Sequence, residues 1–358
     1  MITLGIETSC DETALCLLET IGDGVDIEYR ILGNIINSQI DLHREYGGVY
    51  PTLAKREHIK NLPILFKKLL EDSGIKENEI TGKIDRIAVT AGPGLEPALW
   101  TGILFARELH EKYNIPVIPV NHMEGHIVSV LFNKTDISNN YQKLKSVNFP
   151  ALAILISGGH TQIIRVDEIG KYKILGNTKD DAIGEAFDKV ARMLELPYPG
   201  GPEISKLAEQ ARIENIANNI KLPRPMIYSK DLNMSFSGLK TAVLYTLRNI
   251  ENITEDQKKD IAREFEDSVT EVLISKTEKV IEDREYMGII VGGGVIANRH
   301  IRKAFKIISN KYNIPLYLPE SNLTGDNALM IALAGILNNK MKNPPDISAL
   351  GNLSFDFN

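Results

Sequence analysis

Cysteine is scarce in this chain of 358 residues, which carries only Cys10 and Cys16. Two thiols beside a short loop are too few for a disulfide scaffold or a cysteine-built zinc site, and they are compatible with a reducing compartment. No apolar run approaches the length of a membrane span, so no membrane association is expected. The chain opens directly on the strand-like Met1-Ile-Thr-Leu-Gly-Ile6, without the pattern of a signal or transit peptide, which makes the cytoplasm the expected location. Excess positive charge is missing too. A formal net charge of −6 argues against a protein that holds nucleic acid by net charge alone, so action on a nucleic acid would need a local basic face or a helper. No P-loop spacing occurs, Gly92-Pro-Gly94 lacks the third glycine of a dinucleotide fingerprint, and no segment is of low complexity. What remains is 43% hydrophobic and 25% charged, the composition of a soluble globular enzyme or binding protein, at a length that fits two domains.

The organisation is α/β, with signs of duplication. Ile2 to Ile6, a polar loop Glu7 to Thr13, and Ala14 to Leu18 read as a strand, loop and returning strand. The plan recurs at Ala151 to Ile156, Ser157-Gly-Gly-His-Thr161 and Gln162 to Val166, which implies an internally duplicated fold. Between the copies, Lys55 to Leu70 has helical spacing, Ile84 to Thr90 reads as a buried strand, Ala91 to Gly94 as a turn feeding a helix through Leu109, and Val117 to Val120 as a short strand. Later, Asp181 to Leu194, Pro202 to Ile220, Leu239 to Arg248 and Asp256 to Glu285 read as helices, and Met287 to Val291 as a buried strand. A further helix is expected from about Asn298, an exposed loop over Lys221 to Asn233, and loose order after Lys342.

The sharpest chemical signal is His122-Met-Glu-Gly-His126. At about 100° per residue, positions i and i+4 of a helix share a face, so both imidazoles can reach one cation, zinc or iron(II) by ligand type. The zinc protease pattern His-Glu-x-x-His places its acid one position after the first histidine; Glu124 sits two positions after, rotated by about 200° and aimed away from such an ion. That favours a metal that binds substrate over one that activates water. The plainer alternative is a pair of ordinary satisfied histidines. Thr8 to Thr13, Ser157 to Thr161 and Gly292 to Asn298 are small-residue loops after strands, able to cradle phosphate or simply to turn. Asp181, Glu185 and Asp188 would share a helical face, as an ion-paired surface with Lys189 and Arg192, or with Asp188 binding ribose hydroxyls. Asp326, in Thr324-Gly-Asp-Asn-Ala328, is either a helix cap or a third metal ligand. Asp11 and Glu12 either solvate a turn or orient a nucleophile.

These motifs, in this order, resemble the TsaD family of tRNA threonylcarbamoyltransferases, which has the duplicated ASKHA (actin, sugar kinase and Hsp70-like) fold. The resemblance runs through Gly5 to Thr13, His43-x3-Gly-Gly48, Ala54-x-Arg56-x-His58, Gly92-Pro-Gly94, Asn121 to His126 and Ser157 to Thr161. It continues through Asp180 to Lys189, Tyr198 to Pro202, Ser235 to Lys240, Gly292 to Asn298 and Thr324 to Ala328. It implies two lobes with a nucleotide cleft between them: residues 1–127 joined by a C-terminal helix over 325–345, and residues 128–324. It also implies His122, His126 and Asp326 as ligands of one divalent ion, Fe2+ or Zn2+. Leu155, Ile156, Ser157, Gly158 and Gly159 would form the substrate loop, Asp188, Gly201 and Asn298 would contact the adenylate, and Asp11 and Glu12 would serve activity. Leu155 stands where archaeal and eukaryotic cytosolic relatives have a metal-contacting Tyr, and Ser205 where they have Glu, which favours the bacterial or mitochondrial branch. Glu96-Pro97 replaces the small residues usual in bacterial members.

The implied reaction moves the threonylcarbamoyl group of L-threonylcarbamoyl-adenylate onto N6 of adenosine 37, just 3′ of the anticodon, in tRNAs reading ANN codons, releasing AMP. Implied partners besides tRNA are a catalytically silent TsaB-like paralogue and a small TsaE-like ATPase. The rival readings are a metal-dependent glycoprotease, a label once given to relatives, a small-molecule kinase on the same fold, and a non-catalytic scaffold.

Overall fold

The structure is a computed structural model describing residues 1–137, 140–283, 285–338 and 346–355. The apolar stretch β1 (Ile2–Glu7) is the centre of the first sheet. β2 (Glu12–Ile21) returns antiparallel to it, and β3 (Glu28–Ser38) lies antiparallel to β2. On the other side of β1, β4 (Arg86–Gly92) and β5 (Val117–Asn121) are added in parallel. The two-residue β6 (Gln142–Lys143) closes the edge beside β3, giving the order β5-β4-β1-β2-β3-β6. Helices α1 (Ile40–Arg44), α2 (Pro51–Ser73), α3 (Ile80–Lys83), α4 (Glu96–Tyr113) and α5 (His122–Val128) connect and follow these strands.

The second sheet repeats the plan. β7 (Ala151–Ile156), β8 (Thr161–Glu168) and β9 (Lys171–Asn177) run antiparallel in turn, while β10 (Gly288–Gly292) and β11 (Leu316–Tyr317) are added in parallel beside β7. Its order, β11-β10-β7-β8-β9, matches the first sheet strand for strand apart from β6. Helices α6 (Ile183–Met193), α7 (Gly200–Ile213), α8 (Ser237–Arg248), α9 (Glu255–Asp283), α10 (Arg299–Tyr312) and α11 (Ala328–Asn338) complete the chain. The duplication suggested by the two strand-loop-strand units is therefore the duplication of a five-stranded sheet. Among the described residues no helix is long and apolar enough to cross a membrane.

Strand alternation distributes the apolar side chains over three cores. Leu4 and Ile6 of β1 face α2 and α4. Leu152, Ile154 and Ile156 of β7 face the helices of the second half, while Ala151, Ala153 and Leu155 face the space between the sheets. That central space also holds α5 and α11, whose runs His122–Val128 and Ala328–Gly335 are buried on every side. Helix α11, apolar all round over that run, belongs in an interior, and here it is wedged against β1, β2 and β4. Gly5 makes the wedge possible, because a Cβ there would fall 2.4 Å from the Ala328 carbonyl oxygen and 2.8 Å from Cys16 Sγ.

Some sequence expectations are corrected. The helix expected from Pro202 to Ile220 ends at Ile213, because Asn215 adopts a left-handed φ of 53° and the Ile216 N–H turns back to the Ala211 carbonyl. The helix expected from Asp181 starts at Ile183. Leu222, within the stretch expected to be an exposed loop, is buried. The tail expected to be loose is docked over residues 346–355: Ile347 and Ala349 are buried, and the Leu350 N–H donates to the Ala91 carbonyl at 2.8 Å. Residues 339–345 of the expected C-terminal helix, and 343–345 and 356–358 of that tail, lie outside the described residues.

Gly5→Ala is expected to destabilise the fold by about 1–3 kcal/mol through overpacking of β1 against α11. Chemical denaturation should show a lower midpoint at unchanged slope. An unchanged midpoint would mean that the two elements do not approach this closely.

Candidate metal centre and adjoining cavity

Helix α5 begins where β5 ends, and Asn121 starts it by accepting the Met123 N–H at 2.9 Å. His122 and His126 then project from one face, their ring centroids 4.7 Å apart and nearly perpendicular. From the far end of the chain Asp326 meets both: its Oδ1 lies 3.3 Å from His122 Nε2 and 3.2 Å from His126 Nε2. One ligand atom from each of the three lies within 4.8 Å of the others. The capping reading of Asp326 fails, because the neighbouring Asn327 caps α11 by accepting the Met330 N–H at 3.0 Å. Asp326 is left to the imidazoles.

A second layer orients this triad. Glu7, fully buried at the end of β1, lies 3.0 Å from His122 Nδ1 and accepts the Thr90 hydroxyl at 2.6 Å and the Ser9 N–H at 2.5 Å. With Nδ1 donating to Glu7, a neutral His122 turns the lone pair of Nε2 towards the Asp326 carboxylate. Two acceptors 3.3 Å apart repel unless a proton or a cation lies between them. A carboxylate behind a histidine is also the ordinary outer layer of a metal site. His126 is fully buried, and neither of its ring nitrogens has a hydrogen-bond partner among the described residues. The donor set, two imidazole nitrogens and one carboxylate with an orphaned buried imidazole, fits a borderline-soft divalent cation.

The charges respond to one another. Burial disfavours charge on His122, but the Asp326 and Glu7 carboxylates outweigh it and lift the pKa well above the ordinary value. Burial opposes ionisation of Asp326 too, and is overcome by His122 and His126, which hold its carboxyl far below the usual range. His160 is pushed down to about 4 by burial and by the two imidazoles. Burial, Asp11 and Asp326 push Glu12 well up, which places the adjacent acids Asp11 and Glu12 within electrostatic reach of the triad. Glu124 is turned elsewhere, accepting the Tyr172 hydroxyl at 2.8 Å and the Asn338 amide at 3.0 Å.

The Ser157–His160 turn joins the triad to a cavity of about 560 Å3. Gly158, Asp188, Gly201, Ser205, Asn298 and Arg299 are among the residues lining it, and none of the lining residues precedes Gly158. Gly184 lets the turn close down, since a Cβ there would lie 2.7 Å from Gly158 Cα. Asp188 accepts the Gly200 N–H at 2.8 Å, and burial raises its pKa despite the Gly200 and Gly201 amides. Asn298 caps α10 through the Ile301 N–H at 3.0 Å and donates to Glu266 at 2.6 Å. Leu155 and Ile156 present backbone only, their side chains lying in two different cores. Ser157 shapes the turn, its N–H donating to the His160 carbonyl at 2.8 Å and its hydroxyl accepting the His160 N–H at 3.1 Å. Gly159 completes that turn without lining the cavity. The expected three-acid face dissolves: Asp181 precedes α6 and pairs with Lys189 at 2.8 Å, Glu185 pairs with Lys189 at 2.7 Å, and Asp188 stands apart at the cavity. Arg192 donates to the Gly47 carbonyl rather than pairing along the helix, and Arg44 donates to the Tyr198 carbonyl at 3.1 Å, so two arginines tie the halves together.

A profile of the family described as TsaD, tRNA N6-adenosine threonylcarbamoyltransferase, matches residues 30–333. The chain belongs to this family. Relatives of that name from Thermosipho melanesiensis and Polynucleobacter asymbioticus are 44% and 45% identical over 335 and 346 residues, covering 94% of this chain in both cases and 94% and 92% of theirs. Among solved structures, full-length HypF in a phosphate- and nucleotide-bound form has a TM-score of 0.57 at 13% identity, over 94% of this chain and 46% of that one. HypF from T. kodakarensis has a TM-score of 0.51 at 14% identity, over 93% and 48%. That likeness concerns the fold, the duplicated ASKHA architecture of the TsaD family.

Glu7 and Tyr198 join the site without any signal in the sequence, whereas Ser9 and His160 fall within the candidate loops Thr8 to Thr13 and Ser157 to Thr161. Glu7 and His122 are 115 positions apart, so no spacing could pair them. Tyr198, which senses Asp11, Asp188, Cys10 and Glu12 at once and is raised by burial and by those charges, links the acid loop to the cavity. Asp180, in the TsaD motif before α6, organises the next element: it accepts the Ser235 and Ser237 hydroxyls, each at 2.6 Å, and the Phe236 N–H at 2.8 Å.

Burial raises the Asp180 pKa, but these hydrogen bonds outweigh it and leave it below the ordinary 3.8. A depressed carboxylate stabilises above its unfolded pKa, and the contribution disappears as pH falls through the folded value. Asp180→Ala is therefore expected to cost about 1 kcal/mol at neutral pH, with the gap to wild type closing below the ordinary 3.8. Denaturant titrations on both sides of that value check it, and a gap independent of pH would contradict it.

Proposed function

We propose that this chain transfers the threonylcarbamoyl group of L-threonylcarbamoyl-adenylate to N6 of adenosine 37 in tRNAs reading ANN codons, with AMP as the leaving group. The observation that carries the reading is the convergence of His122, His126 and Asp326 beside a nucleotide-sized cavity, with the Ser157–His160 turn shared between them. The chain is a transferase by family.

His122, His126 and Asp326 would hold one Fe2+ or Zn2+, with Glu7 fixing the His122 ring. The ion, when bound, supplies Lewis-acid stabilisation of negative charge developing on the donor's oxygens. The chain's own groups do the rest. The adenylate lies in the cavity with its ribose towards Asp188 and its phosphate towards the N–H groups of Gly158 and Gly159 in the loop that follows Leu155 and Ile156, while Gly201 leaves open space and Asn298 also lines the cavity. The N6 amine attacks the carbamoyl carbon, the carbon–oxygen bond to phosphate breaks, and AMP departs with the electron pair. The amine's proton passes to the acid loop, where Glu12, its pKa raised by burial and by Asp11 and Asp326, is suited to accept it. Asp11 shares that loop and modulates it.

The protease reading loses the acid its motif relies on, since Glu124 is committed to Tyr172 and Asn338 on the far side of α5. A small-molecule kinase has no use for two buried imidazoles. An acidic chain acting on tRNA also needs positive charge from elsewhere, which we assign to a TsaB-like paralogue and a TsaE-like ATPase.

The test supplies threonylcarbamoyl-adenylate and unmodified tRNA to the metal-loaded chain, with and without those partners, and measures modified nucleoside by mass spectrometry. Product is expected in the partnered arm, with one bound divalent ion per chain. His126→Ala and Asp326→Ala should lose the ion by elemental analysis and slow transfer by roughly 10²–10³-fold, while Glu124→Gln should do neither. No product from the partnered wild type, or full activity in Asp326→Ala, would overturn the reading.

A further inference from the structure

Two more histidines, His43 and His58, are fully buried and take no part in the triad. A buried imidazole is costly unless its ring nitrogens are satisfied. Here the partners leave one arrangement only. The backbone N–H of Tyr50 points at His43 Nδ1 at 3.3 Å. A backbone N–H can only donate, so that nitrogen is bare and the proton sits on Nε2, which faces Gln39 Oε1 at 3.2 Å. The other end of the Gln39 amide, Nε2, lies 3.3 Å from His58 Nδ1 and 3.4 Å from the Ala54 carbonyl. The Thr13 hydroxyl donates to the same His58 Nδ1 at 2.8 Å. At the far end His58 Nε2 meets the Cys10 carbonyl oxygen at 3.0 Å, and a carbonyl can only accept, so this nitrogen carries the proton. The two ends are constrained independently and agree on the orientation of the amide between them.

The backbone of Gln39 adds a bond of its own, its N–H donating to the Asp11 carbonyl at 3.0 Å. The carbonyls of both peptide units flanking the Asp11 Cα are thus held, one by His58 and one by Gln39. These peptides set the direction of the Asp11 and Glu12 side chains, in a loop whose Glu12 feels the Asp326 charge. We propose that Gln39, His43 and His58 are positioning residues, a one-way relay of hydrogen bonds that fixes the Cys10–Glu12 loop for transfer. The role rests on the reading above, in which that loop serves the reaction.

The relay requires both imidazoles to be neutral. Protonating His43 would set a second N–H against that of Tyr50, and protonating His58 would set one against the Gln39 amide. Burial lowers the pKa of each; Asp11 opposes this at His43, while the Cys10 carbonyl, Glu7 and Asp11 oppose it at His58 and the nearby His43 reinforces it.

Two measurements on the full-length, metal-loaded chain test the proposal. In ¹⁵N-histidine NMR at neutral pH, His43 and His58 should both appear as neutral Nε2–H tautomers; an Nδ1–H tautomer or an imidazolium at either would overturn the relay. In the transfer assay, His58→Leu and Gln39→Leu should lower kcat between about tenfold and 10²-fold with KM for tRNA and for the adenylate unchanged. His58→Gln, whose amide still reaches the Cys10 carbonyl, should recover most of the rate. Unchanged kcat in the folded leucine variants, a loss confined to KM, or His58→Gln as slow as His58→Leu would each overturn it. If His58→Leu does not fold, Gln39→Leu and the wild-type tautomers carry the test. A wild type with the stated tautomers and no product in the presence of partners would instead sink the transferase reading, and the relay's role with it.

Discussion

Asp326 reaches His122 and His126 because two buried helices, α5 and α11, share the space between the sheets. Helix α5 is buried at every position and α11 over its first eight. Neither can lie on a surface: α11 is forced against β1, β2 and β4, α5 lies against α11 and against β4, β5, β7 and β10, and Gly5 removes the side chain that would keep α11 away. Their starts then fall side by side, bringing the two imidazoles and the carboxylate, set two hundred positions apart in the chain, within ligand distance. Charged groups left in such an interior must compensate one another. The pairing of His122 with Glu7 on one side and Asp326 on the other is that compensation, and it leaves the ring nitrogens of His126 without a hydrogen bond among the described residues, with Nε2 facing the Asp326 carboxylate.

The duplicated sheet explains where the rest of the site lies. In open α/β sheets ligands collect beyond the carboxyl ends of the strands. The loops after β1, β7 and β10 supply the acid pair, the Ser157–His160 turn and the Gly292–Asn298 segment. These do equivalent jobs for the chain path, each turning a buried strand, but they carry different chemistry: carboxylates and backbone carbonyls after β1, exposed N–H groups and a depressed imidazole after β7, a capped helix start after β10. Tyr198, Arg44 and Arg192 join these groups across the two halves.

Much of the fold was legible because many of its strands are short apolar runs and helices such as α6 and α10 concentrate their apolar residues on one face. β3 escaped notice because its first residues alternate between buried and half-buried positions, and β9 because nearly all of its residues are exposed or half-buried, which dilutes the apolar signal. The docked tail escaped because it has no period at all; Ile347 and Ala349 are buried by an irregular segment held through backbone bonds. In the site, the shared face of His122 and His126 follows directly from four-residue spacing on a helix. Asp326 did not follow from spacing, since a cap and a ligand look alike at a loop-to-helix junction until Asn327 is seen to do the capping. Asp181 was misread because the helix begins two residues later than its acid periodicity suggests. Glu7 and Tyr198 were invisible for a different reason: their partners are distant in sequence, and only the closed fold brings them together.

X-ray absorption at the metal edge tests the central claim most directly, because it reports the atoms around a bound ion without reference to turnover. For the zinc-loaded chain the account predicts two imidazole nitrogens and carboxylate oxygen at about 2.0–2.2 Å, with the outer-ring scattering of two histidines. A sulfur shell at about 2.3 Å, which would implicate Cys10, or an all-oxygen shell without imidazole scattering would contradict it.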